Sequence, residues 1–225
     1  MLIHPWDAPR SDAEWQQWLA AHDFGQLAVN GLPGEPPHVQ PTLPQALNHV
    51  RAGETPSAYD PEHGPHGRVL LHLARPNPLW PAPLEADPEV LLSVVDDYVY
   101  VPGPWQAPPD TPPEHGVPTS FYAAVQLSCT ARVVDEPEEK ADLLNLQVGH
   151  FQPEGGSAPA AVGKAPYGRM LSGIRGLFLE VTDVRAKFKY AGHKPAEVQE
   201  RIAAGLAGRG GTHDTEAHAH QLRRR

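Results

Sequence analysis

The sequence predicts a mainly β fold with peripheral helices, closed in the manner of a barrel. About seven short strand-like segments stand out, while helical periodicity is confined to a few places. Strands and helices do not alternate regularly, which disfavours a parallel α/β sheet. The 27 prolines and 20 glycines indicate many turns and long loops. A chain of 225 residues suits one domain, or one domain with an appendage, and is long enough to bury a core.

The first predicted elements are a helix and a hairpin. Ser11 and Glu14 have the spacing of a capping box, and apolar residues then recur at helical spacing until Gly25. Two strand-like segments, 26–30 and 38–43, are separated by a turn rich in Gly and Pro, which is typical of a β-hairpin. A long loop rich in Pro, Gly and His follows.

The middle of the chain predicts four strands. Three of them lie at residues 68–74, 90–95 and 98–101, and a proline-rich loop comes next, at residues 103–116. The longest candidate, residues 123–134, alternates apolar and polar side chains. This period of two is typical of a strand with one buried face.

The last third of the chain predicts two helices around a pair of strands. A proline followed by two acidic residues begins a predicted helix over residues 137–148, and we expect residues 151–165 after it to form a flexible insert. Residues 176–189 predict two strand pieces, and residues 195–206 predict a final helix with one apolar face. Residues 207–225 are polar and rich in Gly, His and Arg, so we expect a disordered tail. One domain therefore covers residues 1–206.

The charge balance and the hydropathy limit the partners of the chain. With 18 basic and 27 acidic residues, the net charge of −9 disfavours broad contact with the DNA backbone, and we expect little direct DNA binding. No apolar run approaches the roughly 20 residues of a membrane span. The N-terminus also lacks the pattern of a secretory signal. We therefore expect a cytoplasmic protein.

Cysteine and histidine patterns indicate neither a metal site nor a nucleophile. The single Cys129 excludes an intramolecular disulfide and a multi-cysteine zinc site. Its place within a strand predicts a buried, inert thiol. His213, His218 and His220 lie in the predicted tail, where adventitious metal binding is the favoured interpretation. We assign no catalytic residue and no metal ligand.

The strongest candidate for ligand binding is the turn that follows the strand at residues 68–74. Arg75 ends this apolar strand, and Pro76 and Pro78 enclose Asn77, so both polar residues are held in extended or turn conformations. A guanidinium can grip a phosphate in a bidentate manner. The alternative is that Arg75 closes a surface turn and Asn77 caps it.

Two aromatic side chains and a histidine are further candidates. His72 lies in the same strand as Ala74, and it either donates to a ligand or is a satisfied core residue. Trp80, just after the prolines, either lines a ligand ring or packs in the core. Trp105 offers aromatic area in the proline-rich loop.

Two later segments carry hydroxyl and ammonium groups. Pro118 and Thr119 precede the longest strand, where the threonine hydroxyl and a backbone N–H either hydrogen-bond the edge of a ligand or belong to a simple turn. Lys187 and Lys189 lie on one face of a strand because side chains two residues apart point the same way. They either attract a phosphate or protect a solvated sheet edge.

Three segments, in this order, resemble the PaiB-type family of FMN-binding negative transcriptional regulators. Residues 71–80 read LHLARPNPLW, residues 117–125 read VPTSFYAAV, and residues 187–194 read KFKYAGHK. The corresponding family patterns are GHxAxxNPQW, VPTWNYxAV and K(L/F)SQNR. Thr42 occupies the place where the family's THxP pattern has a histidine. The resemblance extends over about residues 1–205.

This family adopts a flavin-binding split barrel. The resemblance therefore implies an FMN-binding split β-barrel, a homodimer with two FMN sites at the subunit interface, and negative regulation of transcription without an obvious DNA-binding motif. It also implies that Arg75, Asn77 and a lysine hold the FMN phosphate. The cofactor-binding residues that it indicates are Thr42, His72, Ala74, Arg75, Asn77, Trp80, Trp105, Pro118, Thr119, Lys187 and Lys189.

Two other functions remain open. Split barrels of this kind include pyridoxamine-phosphate oxidases and flavin reductases, so a flavin-dependent oxidoreductase is the first alternative. The second is a barrel that has lost its cofactor and acts through protein contacts alone. A yellow purified protein would exclude this second alternative. Oxidation of NADPH by the flavin-loaded protein would favour an enzyme.

Overall fold

A computed structural model describes residues 1–42, 59–60, 66–80, 84 and 88–224. The chain divides into two compact units. The first unit contains residues 1–15, 95–125 and 185–225, and the second contains residues 16–94 and 126–184.

Strands predominate over helices in the described part of the chain. The strands are β1 (Gly25–Val29), β2 (His38–Thr42), β3 (Tyr59–Asp60), β4 (Arg68–Ala74), β5 (Glu89–Val101), β6 (Thr119–Val134) and β7 (Ile174–Lys189). They are hydrogen-bonded in the order β2-β1-β5-β6-β7-β4-β3. The α-helices are α1 (Asp12–Ala20), α2 (Pro137–Phe151), α3 (Ala196–Arg209) and α4 (Asp214–Arg223). The predicted mainly β class with peripheral helices is confirmed.

Within the second unit, antiparallel pairing organises the strands as their hydrophobic patterns predict. β1 and β2 form the predicted hairpin, with Leu27 opposite Gln40. β4 pairs antiparallel with β7, with His72 opposite Gly176. The predicted strand at residues 68–74 has the same limits as β4. Most of the long loop predicted between β2 and β4 lies outside the described residues.

Helix α2 packs against the sheet of the second unit through an apolar cluster. Leu70, Val134, Leu143 and Phe178 are all buried and contact one another. Gly176 permits this close approach, because a Cβ atom there would lie 2.6 Å from Leu143 Cδ1 and 3.1 Å from Val134 Cβ. Any larger residue at position 176 would push the helix away from β7.

The core of the first unit contains a group of packed aromatic rings. The fully buried Tyr190 ring contacts Phe121 edge-on at a centroid distance of 5.5 Å and stacks on the His220 ring at 4.6 Å. A Cβ atom at Gly205 would lie 2.5 Å from the Trp105 ring, so α3 packs directly on the indole. Within the described ranges, none of the helices has the length and apolar character that crossing a membrane requires.

The C-terminal residues differ most from their predicted state. We expected residues 207–225 to be disordered, and this prediction is wrong, because α4 forms there and buries Asp214, His220 and Gln221. The helix before it ends at Gly210 in the left-handed conformation, an ordinary C-cap. A polar segment can fold in this way when its buried groups find partners, and each of these three makes at least one hydrogen bond.

Three smaller predictions need correction. The strands predicted at residues 90–95 and 98–101 are one strand, β5, which continues through Asp97. The φ angle of Asp97 is 53°, a left-handed value that Asp tolerates. β7 likewise continues through Thr182, whose hydroxyl donates to the Ser128 carbonyl at 3.0 Å. The segment after α2, expected to be flexible, is attached to that helix by the Asn145 side chain. Its amide donates to the Ala160 carbonyl at 3.0 Å and accepts from the Ala160 N–H at 2.7 Å.

Candidate functional site

A cavity of about 360 Å³ in the first unit brings together four of the predicted cofactor-binding residues. We call it the lysine pocket. The four predicted residues that line it are Pro118, Thr119, Lys187 and Lys189. Further lining residues include His4, Trp6, Asp7, Phe121, His193 and Lys194. The segment at Pro118–Thr119 and the segment at Lys187–Lys189 therefore lie near each other.

The backbone around the lysine pocket is held by close glycine contacts. A Cβ atom at Gly116 would lie 1.8 Å from the Gly103 carbonyl oxygen, so two stretches of the proline-rich loop touch directly. Gln106 donates from its side chain to the Val117 carbonyl at 2.6 Å. These contacts fix the approach to β6, which begins at Thr119.

Two of the three lysines that line this pocket lie on β7. Lys189 Nζ donates to Thr119 Oγ1 at 2.9 Å, and Lys187 Nζ donates to the Leu2 carbonyl at 2.8 Å. Lys187 is only 8% exposed, and its Nζ lies 3.7 Å from Asp7 Oδ2. Both ammonium groups lie 5.7 Å from the centroid of the Tyr122 ring.

The electrostatics of the lysine pocket favour an incoming anion. Burial, and then the neighbouring Lys187 charge, lower the pKa of Lys189 from its ordinary value, while Asp7 raises it. The pKa of His193 is lowered in the same way, by burial first and then by Lys194. Burial therefore disfavours the charged form of Lys189, and an anion placed beside its ammonium group would favour that form again.

The N-terminal segment closes one side of the pocket with aromatic and polar groups. His4 and Trp6 stack at a centroid distance of 4.7 Å, and Trp6 also contacts the His193 ring at 5.0 Å. Asp7 is buried, and its Oδ1 atom has no hydrogen-bond partner among the described residues. Sequence reasoning missed this segment, because nothing in its local pattern shows that it lies beside β7.

Arg75 is already engaged by protein groups in the second unit. It forms a bidentate ion pair with Asp135, and its Nε donates to the Ser172 carbonyl at 2.9 Å. Hydrogen bonding from Arg75 is the main cause that lowers the pKa of Asp135, with a further contribution from Lys140, against an opposing effect of burial. Arg175 Nε also lies 3.4 Å from this carboxylate. Arg75 therefore belongs to a local salt-bridge network.

The neighbouring polar residues of this turn have protein partners as well. Asn77 donates to Gln40 Oε1 at 3.0 Å, and its side-chain carbonyl accepts from the Leu79 N–H at 3.0 Å. The second contact is the turn-capping arrangement that the sequence left as an alternative. Trp80 is buried and donates from Nε1 to the Ala74 carbonyl at 2.9 Å.

The remaining predicted residues do not line the lysine pocket. Thr42 is buried at the end of β2, and His72 hydrogen-bonds to Gln147, both within the second unit. Trp105 belongs to the first unit, where its ring packs on Gly205 and lies 5.1 Å from the Arg209 guanidinium. The eleven predicted residues therefore fall into two sets, one in each unit.

Comparison with known proteins gives the family. Residues 1–183 match the family described as "Putative FMN-binding domain". The chain belongs to this family. No curated protein matches the chain in sequence.

Several solved structures share the fold at low sequence identity. A conserved hypothetical protein from Mycobacterium tuberculosis has a TM-score of 0.52 at 15% identity, covering 84% of this chain and 90% of that one. The FAD and heme binding protein from Mycobacterium smegmatis has a TM-score of 0.54 at 16% identity, covering 88% and 79%. A flavocytochrome from Azotobacter vinelandii has a TM-score of 0.50 at 15% identity, covering 80% and 72%. The predicted split-barrel fold is confirmed.

The lysine pocket fits the chemistry of a phosphorylated aromatic cofactor. Ammonium and hydroxyl donors at Lys187, Lys189 and Thr119 suit phosphate oxygens. The aromatic rings of Trp6 and Phe121 line the same cavity and suit a flat apolar ring. The cavity volume of about 360 Å³ lies at the lower end of the range found for ligand sites.

Proposed function

We propose that this protein is a flavoprotein that holds the phosphate of FMN in the lysine pocket. The observation that carries the proposal is the Lys189–Thr119 contact beside Lys187, in a cavity where Lys189 has a lowered pKa. Burial disfavours the charged form of Lys189, and the negative charge of a phosphate there would favour that form again. Membership of the FMN-binding family supports the same cofactor.

The lysine pocket is a better phosphate site than the Arg75 turn. Moving Arg75 to a phosphate would break its two contacts with Asp135 and the one with Ser172. Lys189 could stay in place and donate to a phosphate oxygen, either in addition to its neutral partner, the Thr119 hydroxyl, or instead of it. Because charge-assisted hydrogen bonds are stronger than neutral ones, this exchange favours phosphate binding at Lys189.

Each residue of the pocket has a distinct role in this proposal. Lys189 and Thr119 donate to the phosphate, and Lys187 adds a second positive charge while Asp7 and Leu2 hold its ammonium in place. Bound FMN would supply redox chemistry, as flavins do in other proteins. Trp6, which is 42% exposed, would cover the cofactor from the N-terminal side.

The finer predictions from the resemblance remain proposals. We retain a homodimer and a role in regulating transcription on the resemblance alone, and a cytoplasmic location on the hydropathy of the sequence. The net charge of −9 favours a regulatory effect that does not depend on broad contact with DNA. Two of the similar structures are described as flavin or flavocytochrome proteins, which supports flavin binding more directly than it supports repression.

Titration with FMN and with riboflavin tests the phosphate assignment. Lys189→Ala should weaken FMN binding by about 10- to 150-fold, the equivalent of one charge-assisted hydrogen bond. It should leave riboflavin binding nearly unchanged, since riboflavin lacks the phosphate. Lys164→Ala is the matched control, because Lys164 is exposed and lies in the second unit.

The outcome also decides between the two anion sites. Arg75→Ala should reduce FMN affinity by less than Lys189→Ala. A selective loss of FMN over riboflavin in Arg75→Ala, with Lys189→Ala unaffected, would move the phosphate back to the turn after β4. Equal losses of both ligands in Lys189→Ala would show that this lysine supports the fold of the pocket instead.

A further inference from the structure

A second cavity, of about 600 Å³, lies within the second unit and has a different chemical character. We call it the apolar cavity. Its volume lies within the range of small-molecule sites. Helix α2 contributes Leu144, Val148 and Phe151, and the segment before β7 contributes Tyr167, Met170 and Gly173.

None of the residues that line the apolar cavity is Asp, Glu, Lys or Arg. A ligand with a net charge would therefore lose its hydration without gaining an ion-pair partner, which is costly. This excludes a phosphate group as the main recognised feature. The lining instead fits a neutral molecule with a mainly apolar body.

One polar pair gives the apolar cavity a directional feature. His72 Nδ1 lies 2.5 Å from Gln147 Oε1, and because an amide oxygen can only accept, Nδ1 carries the proton. The other ring nitrogen, Nε2, is then an acceptor in the neutral imidazole. Gln152 is already used locally, since its amide contacts Gly155 and Ser157 at 2.7 Å.

The walls of the apolar cavity are held in place without a ligand. Leu144 and Tyr167 pack against a buried cluster that includes Ala160. The two hydrogen bonds between Asn145 and Ala160 tie the segment after α2 to that helix. A preformed cavity requires less ordering on binding than a loose one.

The mouth of this cavity leaves large apolar side chains in contact with water. Phe151 is 43% exposed and Met170 is 62% exposed. Methionine adapts its shape readily to apolar ligands. Covering these two side chains would remove apolar surface from water, which favours binding.

We propose that the apolar cavity binds a neutral, mainly aromatic small molecule that donates one hydrogen bond to His72. The ligand class is an uncharged ring compound that carries a hydroxyl or N–H group. This site is separate from the proposed FMN phosphate site and does not depend on it. His72, which the resemblance places at the flavin, recognises the second ligand in this proposal.

Calorimetric titration of the full-length protein with 2-naphthol tests the proposal. Naphthalene, which lacks the donor, and naphthalene-2-sulfonate, which is anionic, are the comparison probes. We expect saturable 2-naphthol binding, weaker naphthalene binding and no sulfonate binding. His72→Leu should reduce 2-naphthol affinity by roughly 2- to 10-fold, the equivalent of one neutral hydrogen bond, and should remove its advantage over naphthalene.

A pair of glycine substitutions tests the effect of filling the cavity, and neither substitution should disturb the backbone. A Cβ atom at Gly173 or at Gly149 meets nothing within 4 Å, but only Gly173 lines the cavity. Gly173→Leu should therefore reduce 2-naphthol affinity at least tenfold, while the matched control Gly149→Leu should bind like the unchanged protein.

Four results would overturn the proposal. The first is the absence of saturable 2-naphthol binding, and the second is equal binding by the two glycine variants. The third is displacement of 2-naphthol by riboflavin, which would assign the cavity to the flavin ring. The fourth is a change of oligomeric state in Gly173→Leu alone by light scattering, which would indicate that a second copy of the chain covers this surface. Failure of FMN binding in Lys189→Ala affects none of these results.

Discussion

His220 Nε2 lies 2.7 Å from Asp97 Oδ2, and both side chains are buried in the first unit. Arg223 lies 2.7 Å from the other ring nitrogen, Nδ1, and because a guanidinium can only donate, Nδ1 accepts and Nε2 carries the proton. His220 is therefore a neutral donor to the Asp97 carboxylate. This contact joins α4 to β5, and it explains why the last helix is ordered.

The first prediction concerns this contact. His220→Phe should reduce the free energy of unfolding by about 1.5–3 kcal/mol, because it removes a hydrogen bond to a charged group while keeping an aromatic ring beside Tyr190. Urea denaturation followed by circular dichroism measures the change. His218→Phe is the control, since His218 is only partly buried. Equal effects of the two substitutions would show that the Asp97 contact contributes no stability.

The second prediction concerns the packing of α2 on β7. Gly176→Ala should destabilise the protein by about 1–3 kcal/mol, because the added methyl group would overlap Leu143 and press on Val134. Gly173→Ala should be neutral or stabilising by up to about 1 kcal/mol, since its methyl group meets open space. Thermal and urea unfolding of both variants check the difference. A neutral Gly176→Ala would mean that α2 can shift without cost.

The third prediction concerns Cys129, which is fully buried in β6. Burial, and then the charges of Glu89 and Glu180, raise the pKa of its thiol to about 12. The reactive thiolate is therefore scarce at pH 8, at roughly one molecule in 10⁴. The native protein should not react with Ellman's reagent within an hour, whereas the denatured protein should release one equivalent. Rapid reaction of the native protein would contradict this burial.

Much of the fold could be predicted because its signals are local. The limits of β4 follow from an apolar run that stops at Arg75 before a proline. The pairing of Lys187 with Lys189 in one pocket follows from the period of two along a strand. These features depend on neighbouring residues only, so the sequence contains enough information to place them.

The features that were missed depend on partners far away in the chain. Asp135 lies 60 positions after Arg75, and no local pattern shows that its carboxylate forms an ion pair with the Arg75 guanidinium. The order of α4 depends on the contact of His220 with Asp97, 123 positions earlier. The polar composition of residues 207–225 predicted disorder. Composition gives the number of polar residues, but it does not show which of them form hydrogen bonds with buried partners.

The last prediction concerns the pH dependence of FMN binding. In the free protein, burial and the Lys187 charge lower the pKa of Lys189, and a bound phosphate dianion should raise it again. Binding therefore takes up protons at a pH between these two pKa values, and FMN affinity should fall as the pH rises through that window. The measurement starts at pH 7, above the second phosphate pKa of about 6. It extends to about pH 10.5, the ordinary pKa of lysine.

Two controls isolate the contribution of Lys189. Riboflavin affinity should not follow the same slope, because riboflavin brings no phosphate to the ammonium group. Lys189→Met should remove most of the slope for FMN, while Lys164→Met should retain it. An FMN affinity that rises with pH in the unchanged protein would mean that binding releases protons. The cofactor phosphate would then not contact Lys189.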